Sequence, residues 1–159
     1  MKEFIDATIF LGMHSNDEKT RITCKNFFIE HLNKTIFMSL ESVGKCDDIV
    51  WQFSRKVQDE YYPFMDRLHT IMNIKRIPYD SRTITKNKFP KTLSNFQQLI
   101  LSQSQADRLF TLDKEMLNLN LKFVTSPNNH STEKNFPGIM ERFYKQSLKL
   151  RVNNIHSIY

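Results

Sequence analysis

Apolar residues along this chain cluster in short, nearly continuous runs that polar stretches separate. Residues 4–11 (FIDATIFL) form the first run, which favours a strand buried on both faces of a parallel sheet, although a buried helical segment has the same pattern. Residues 35–39 (TIFMS) are β-branched and aromatic, which predicts a second buried strand. Three further short strands are predicted at residues 75–79, 108–112 and 121–124.

Between these runs, apolar residues recur at the three- and four-residue spacing of helices. Residues 15–18 (SNDE) have the sequence of a capping box, with Ser15 as the predicted cap and Asp17 and Glu18 at the start of the helix. Pro63 is expected to end or kink the helix that reaches it, because the residue before a proline disfavours helical angles. The other helices are predicted at residues 40–51, 64–72, 93–100, 116–117 and 139–150.

Strands that alternate with helices predict the fold class. We expect an α/β domain, a three-layer α/β/α sandwich with a mostly parallel sheet of about five strands. The first strand is expected near the centre of the sheet, because its apolar pattern indicates burial on both faces. A length of 159 residues suits a single compact domain.

Composition excludes several function classes. The three glycines do not form the glycine-rich loop motifs of dinucleotide-binding or phosphate-loop enzymes. No serine lies in the Gly-x-Ser-x-Gly motif of common hydrolases. The histidines are isolated from one another, which argues against a zinc site. The two cysteines form no metal-type pair and no disulfide framework, which favours reduced thiols in a cytoplasmic protein. No apolar run approaches the roughly 18 residues of a membrane span, so no membrane contact is expected. The net charge of +6 favours a polyanionic partner.

Three acidic residues lie within or just after predicted strands. Asp6 interrupts the first apolar run, Glu41 lies two residues past the second strand, and Asp113 ends the fourth. Each acid alone is explained equally well by a helix cap or a surface ion pair. As a set, at the sheet edge where α/β proteins bind ligands, they favour an oxygen-ligand site for Mg²⁺ or Mn²⁺.

Two segments resemble a known family. Residues 4–11 (FIDATIFL) are similar to the opening strand of a PIN domain, in which an Asp is followed by a small residue and Thr or Ser. Residues 106–113 (ADRLFTLD) are similar to the late strand of that family, with its Thr-x-Asp ending. The order of elements also fits over about residues 2–127. The resemblance implies a PIN-like core at 1–127, with 128–159 as a polar loop and an amphipathic helix packed on the same domain.

What the PIN resemblance implies is a metal-dependent ribonuclease, in which acids hold Mg²⁺ or Mn²⁺ and the ion activates a water. Asp6 takes the first acidic position and Asp113 the last. Glu41 and Asp48 are both candidates for the second acid, and Asp47 is a weaker one. The implied catalytic and metal-binding residues are Asp6, Glu41, Asp48 and Asp113. Thr8 and Thr111, which belong to the matching motifs, are candidates for contacts with the substrate.

The third acid of the PIN pattern is missing. The matching stretch is residues 95–100 (NFQQLI), with Gln97 or Asn95 where the family has an acid. A neutral amide still offers an oxygen but removes one negative charge, which is expected to weaken metal binding. This departure supports a second hypothesis, a catalytically inactive PIN-like domain that binds RNA or serves as a subunit for a protein partner.

RNA is the expected partner of the ribonuclease, and RNA or a protein is the expected partner of the inactive domain. The basic loop at residues 80–91 carries Arg82, Lys86 and Lys88, which are candidates for contacts with RNA phosphates, although a solvated loop has the same composition. The resemblance also implies a toxin-type endoribonuclease with a small antitoxin-like protein partner. A homo-oligomer is a further arrangement that the sequence leaves open.

Overall fold

The computed structural model describes residues 1–81, 89–130 and 132–159. Five parallel strands form one sheet in the order β3-β2-β1-β4-β5, so β1 lies at its centre. The α/β class, the parallel sheet and the central first strand are therefore confirmed. The strands are β1 (Glu3–Ile5), β2 (Thr35–Ser39), β3 (Asn73–Ile77), β4 (Arg108–Phe110) and β5 (Val124–Thr125).

Helices cover both faces of this sheet. Side chains alternate along each strand, so Ile5 and Phe4 of β1 belong to different hydrophobic clusters. The Ile5 cluster joins the sheet to α1–α4 and α7, and the Phe4 cluster joins it to α5 and α6. The helices are α1 (Ala7–Gly12), α2 (Glu18–Glu30), α3 (Leu40–Val50), α4 (Arg55–Ile71), α5 (Asn95–Ser104), α6 (Lys114–Asn118) and α7 (Met140–Ser147).

The first apolar run is only partly a strand. The strand ends at Ile5, and residues 7–12 form α1, so the prediction of one strand over 4–11 is wrong. Asp6 marks the change from strand to helix. Its Oδ1 caps α1 by accepting hydrogen bonds from the backbone N–H groups of Thr8 at 3.0 Å and Ile9 at 3.4 Å. Every residue of α1 is buried, which explains why its sequence shows no amphipathic period.

Two predicted helix boundaries also differ. Asp17, not Ser15, caps α2 by accepting the N–H of Thr20 at 2.9 Å, while the Ser15 hydroxyl accepts the N–H of Asp17. Helix α4 does not end at Pro63 but continues to Ile71. Its buried side chains lie on both sides of the proline, so packing against the core stabilises both halves.

The segment after β5 packs back onto the domain. Lys25 of α2 is fully buried and pairs with Glu133 and Glu141, each at 2.6 Å. The Tyr144 hydroxyl of α7 donates to the carbonyl of Met13 at 2.7 Å. Beyond α7, Val152 forms a parallel bridge with Ser15. These contacts bring the last residues of the chain to the carboxyl end of β1.

Gly12 is required for the close packing of α1 against α2. A Cβ at Gly12 would collide with the Cys24 sulfur and lie 3.3 Å from Cδ1 of Leu112, whereas a Cβ at Gly44 would meet nothing within 4 Å. We expect Gly12→Ala to lower the free energy of unfolding by about 1–3 kcal/mol through overpacking. The control Gly44→Ala, in the interior of α3, should raise it by about 0.5–1 kcal/mol. Urea denaturation measures both; equal stability of the two variants would contradict the packing described.

Candidate functional site

The carboxyl ends of β1 and β4 meet at the buried side chain of Asp6. Both of its oxygens accept hydrogen bonds from threonine hydroxyls: Oδ1 from Thr8 and Oδ2 from Thr111, each at 2.6 Å. Oδ1 also caps α1, as described above. Asp6 and both threonines have no exposed surface, so the protein alone satisfies this carboxyl group.

Thr8 and Thr111 connect the two strand ends to each other. The Thr8 hydroxyl accepts the N–H of Leu112 at 2.7 Å, and the Thr111 hydroxyl accepts the N–H of Asp113 at 3.0 Å. Each hydroxyl therefore donates to Asp6 and accepts from the backbone that follows β4. The structure places these two candidate substrate contacts inside the protein, where they hold α1 against the β4–α6 connection.

Asp113 lies at the start of α6, and Gln97 contacts it directly. The Oδ1 atom of Asp113 accepts the N–H of Met116 at 2.8 Å and the side-chain amide of Gln97 at 3.0 Å. The Gln97 carbonyl oxygen accepts the N–H of Ser94 at 2.7 Å, as part of the capping box of α5. Gln97 is buried and presents its N–H group, not its oxygen, to Asp113. Asp113 and Asp6 together are called the acid pair.

The end of the chain covers this site. The Tyr159 hydroxyl accepts the N–H of Ala7 at 3.2 Å and also contacts the Asp6 carboxyl. Its ring stacks on Phe96 with the centroids 6.4 Å apart, and Nδ1 of His156 donates to the carbonyl of Leu112 at 2.9 Å. Sequence reasoning missed Tyr159, because no local pattern connects it with Asp6.

Burial dominates the electrostatics of the acid pair. Loss of solvation raises the pKa of Asp6 to about 6; the hydroxyls of Thr111, Thr8 and Tyr159 oppose this shift, and the charge of Asp113 adds to it. Burial likewise raises the pKa of Asp113, against the hydrogen bonds from Met116 and Gln97. The pKa of Tyr159 lies well above its ordinary value for the same reason, and its phenol stays neutral.

The other predicted site residues are distributed more widely. Glu41 is half-buried in the first turn of α3, and its Oε2 has no hydrogen-bond partner among the described residues. Asp47 is half-buried, and Asp48 is exposed further along α3. Within residues 1–81, 89–130 and 132–159, no hydrogen bond joins these acids to Asp6 or Asp113. The predicted phosphate contacts Arg82, Lys86 and Lys88 lie outside the described residues.

The acid pair does not fit the metal site that the PIN resemblance implies. In the described part of the chain, no group of three or more His, Cys, Asp or Glu side chains could hold a metal ion. Threonine hydroxyls donate to both oxygens of Asp6, and the amide of Gln97 donates to Asp113. A cation at Asp6 would have to compete with the threonine hydroxyls, and a cation at Oδ1 of Asp113 would meet the N–H groups of Gln97 and Met116.

Comparison with models of protein families identifies a family for this chain. The model of DUF6190, a family of unknown function, matches residues 1–157. The chain belongs to this family. The match includes the acid pair and nearly all of the segment that covers it. No curated protein and no solved structure matches the chain. Across the described residues, none of the helices is both long and apolar enough to span a membrane.

Ionisation of Asp6 is expected to make stability depend on pH. The pKa of Asp6 rises from 3.8 to about 6 on folding, so between these pH values the folded state holds a proton that the unfolded state releases. This contribution to stability is complete below pH 3.8 and is lost as pH rises through 6, a change of about 3 kcal/mol for a shift of this size.

The neutral, isosteric variant Asp6→Asn isolates this contribution. Urea denaturation from pH 3.5 to 7.5 should show wild type losing stability relative to Asp6→Asn as pH rises, with a plateau above pH 6 to 7. The difference between the two curves removes the titration of the other acids. Curves that stay parallel over the whole range would contradict a raised pKa at Asp6.

Proposed function

We propose that this chain is a PIN-like domain without nuclease activity that binds RNA. The observation that carries the proposal is the contact of Gln97 with Asp113. The side-chain amide of Gln97 donates to Asp113 at the position where the PIN pattern has a metal-binding carboxylate. A carboxylate at position 97 would add negative charge beside Asp113, whereas the amide stabilises Asp113 and caps α5 at the same time.

The hydrogen bonds of Asp6 support the same proposal. A metal-dependent nuclease needs carboxylate oxygens that are free to bind the ion, and both oxygens of Asp6 already accept hydroxyl donors. A metal ion that displaced these donors from Asp6 would leave the buried hydroxyls of Thr8 and Thr111 without an acceptor. That loss costs about 1–3 kcal/mol for each group. The acid pair is therefore better suited to holding strand ends together than to chemistry.

The charge of the chain supports RNA as the partner. The 23 Lys and Arg residues against 17 Asp and Glu residues give a net charge of +6, which favours phosphate-rich ligands. A cytoplasmic location is part of the proposal, and the free, buried thiols of Cys24 and Cys46 support it. A small antitoxin-like protein or a second copy of the chain remains a proposed partner, and the exposed side chain of Trp51 supports a protein contact.

A metal-dependent ribonuclease is the second candidate function. One observation favours it: Asp6 and Asp113 lie beyond the carboxyl ends of adjacent strands, at the sheet edge where α/β proteins bind ligands. Oε2 of Glu41, which has no hydrogen-bond partner among the described residues, adds a further carboxylate just after β2. Both functions use the same fold, so an assay of cleavage alongside binding separates them.

The full chain should bind single-stranded RNA with strong salt dependence and leave it uncut in millimolar Mg²⁺ or Mn²⁺. Asp113→Asn should bind RNA with unchanged affinity, because the acid pair makes no contact with the ligand under this proposal. Fluorescence anisotropy measures binding, and gel analysis of labelled RNA measures cleavage. Metal-dependent cleavage by wild type that Asp113→Asn abolishes would replace the proposed function by the second candidate.

Gln97→Asp tests how far the site is from an active one. It introduces the acid that the PIN pattern contains, with Gln97→Ala as the control that removes the amide without adding charge. Gain of metal-dependent cleavage by Gln97→Asp alone would support a PIN scaffold whose nuclease site is inactive in wild type. Cleavage by neither variant, with RNA binding retained, would leave the binding function and remove the support for a latent site.

A further inference from the structure

A polar cleft lies beside β4 and β5, and its lining includes neither Asp6 nor Asp113. Its volume is about 440 Å³, within the range of small-ligand sites. The last turn of α2 forms one wall, strands β4 and β5 form the floor, and residues 126–130 form the opposite wall. Phe110 provides a half-buried aromatic surface at the floor.

Two exposed cations line this cleft without partners. Arg108 and Lys122 form no ion pair and no side-chain hydrogen bond with any described residue. Both side chains belong to the lining of the same cleft. Arg108 is the first residue of β4, and Lys122 lies in the turn before β5, next to Phe123, whose carbonyl accepts the N–H of Leu109 at 2.7 Å. Elsewhere on the domain, basic side chains such as Lys25 and Lys134 are paired with glutamates.

The remaining lining of the cleft is compatible with an anion. Thr125, Ser126 and Asn128 contribute neutral groups that donate hydrogen bonds. Glu30, the one carboxylate among the described residues of the lining, is already paired with Lys134 at 2.7 Å and lies 3.3 Å from Nε2 of His130. The positive charges of Arg108 and Lys122 therefore remain uncompensated inside the cleft.

The geometry points to a phosphate-binding site in this cleft, which holds a phosphate group of single-stranded RNA or of a free nucleotide. Arg108 supplies a planar fork that matches phosphate oxygens, Lys122 supplies a second charge, and Phe110 lies where the attached nucleoside can pack. As a site for RNA, the inference rests on the proposed function and names the surface that performs it. As a site for a nucleotide, it stands without that function.

The test compares two double variants that change net charge equally. Arg108→Gln with Lys122→Gln removes the cations of the cleft. Arg142→Gln with Lys145→Gln, the matched control, removes one Arg and one Lys that are exposed on α7 and do not line the cleft. Binding of a uridine decamer, uridine 5′-monophosphate and inorganic phosphate is measured for wild type and both variants over a range of salt concentrations.

We expect the cleft variant to bind the decamer about tenfold more weakly than the control variant, with a salt slope smaller by about 0.7 for each RNA phosphate that the variant no longer neutralises. Selective weakening for the decamer alone identifies an RNA phosphate as the ligand, and selective weakening for the monophosphate identifies a nucleotide. Equal weakening in both variants would overturn the cleft site while leaving RNA binding intact. RNA binding absent in wild type, with cleft-dependent binding of the monophosphate, would overturn the proposed function but not the site. Absence of all binding would overturn both.

Discussion

A carboxyl group with no exposed surface has to obtain every hydrogen bond from the protein, and the arrangement around Asp6 follows from that constraint. Its donors come from three separate parts of the chain: the first turn of α1, the end of β4 and the last residue, Tyr159. Satisfying one buried acid therefore fixes the strand ends, starts a helix and anchors the segment that covers the site. Replacing any donor would leave a polar group buried without a partner.

The acid pair and the cleft beside β5 differ in how their charged groups are satisfied. At the acid pair, hydroxyl and amide donors contact the carboxylates, and one of the hydroxyls belongs to Tyr159, whose ring stacks on Phe96. In the cleft beside β5, the cations Arg108 and Lys122 face solvent without partners among the described residues. A ligand that carries negative charge thus meets an open, positively charged surface in the cleft and a closed, acidic one at the strand ends.

Local patterns predict those parts of the fold that local chemistry decides. Residues 35–39 form a strand as predicted, because β-branched and aromatic residues favour the extended backbone of a buried sheet. The strand predicted over residues 4–11 is wrong after Ile5, because a fully buried helix has the same continuous apolar pattern as a buried strand. The deciding interaction is the cap from Asp6 to the N–H groups of Thr8 and Ile9, which hydrophobicity does not encode.

The candidate site is predictable only in part. Asp113 can be found from the sequence because it ends a predicted strand, and Asp6 because it interrupts the first apolar run; adjacent parallel strands bring the two together. Gln97 is recognisable as the position of a missing acid, but its orientation depends on the capping box with Ser94, a pattern that the sequence also contains. Tyr159 lies 152 residues from Ala7, its hydrogen-bond partner, and no periodicity connects residues so far apart.

We infer that the internal donors to Asp6 and to Oδ1 of Asp113 disfavour the binding of a divalent cation at the acid pair. Paramagnetic Mn²⁺, titrated into isotopically labelled protein, tests this claim most directly, because it broadens the amide signals of nuclei close to a bound ion. The account predicts that the amide signals of Thr8, Leu112 and Asp113 keep their linewidths through millimolar Mn²⁺. Broadening that is confined to these amides, and that Asp6→Asn abolishes, would contradict it.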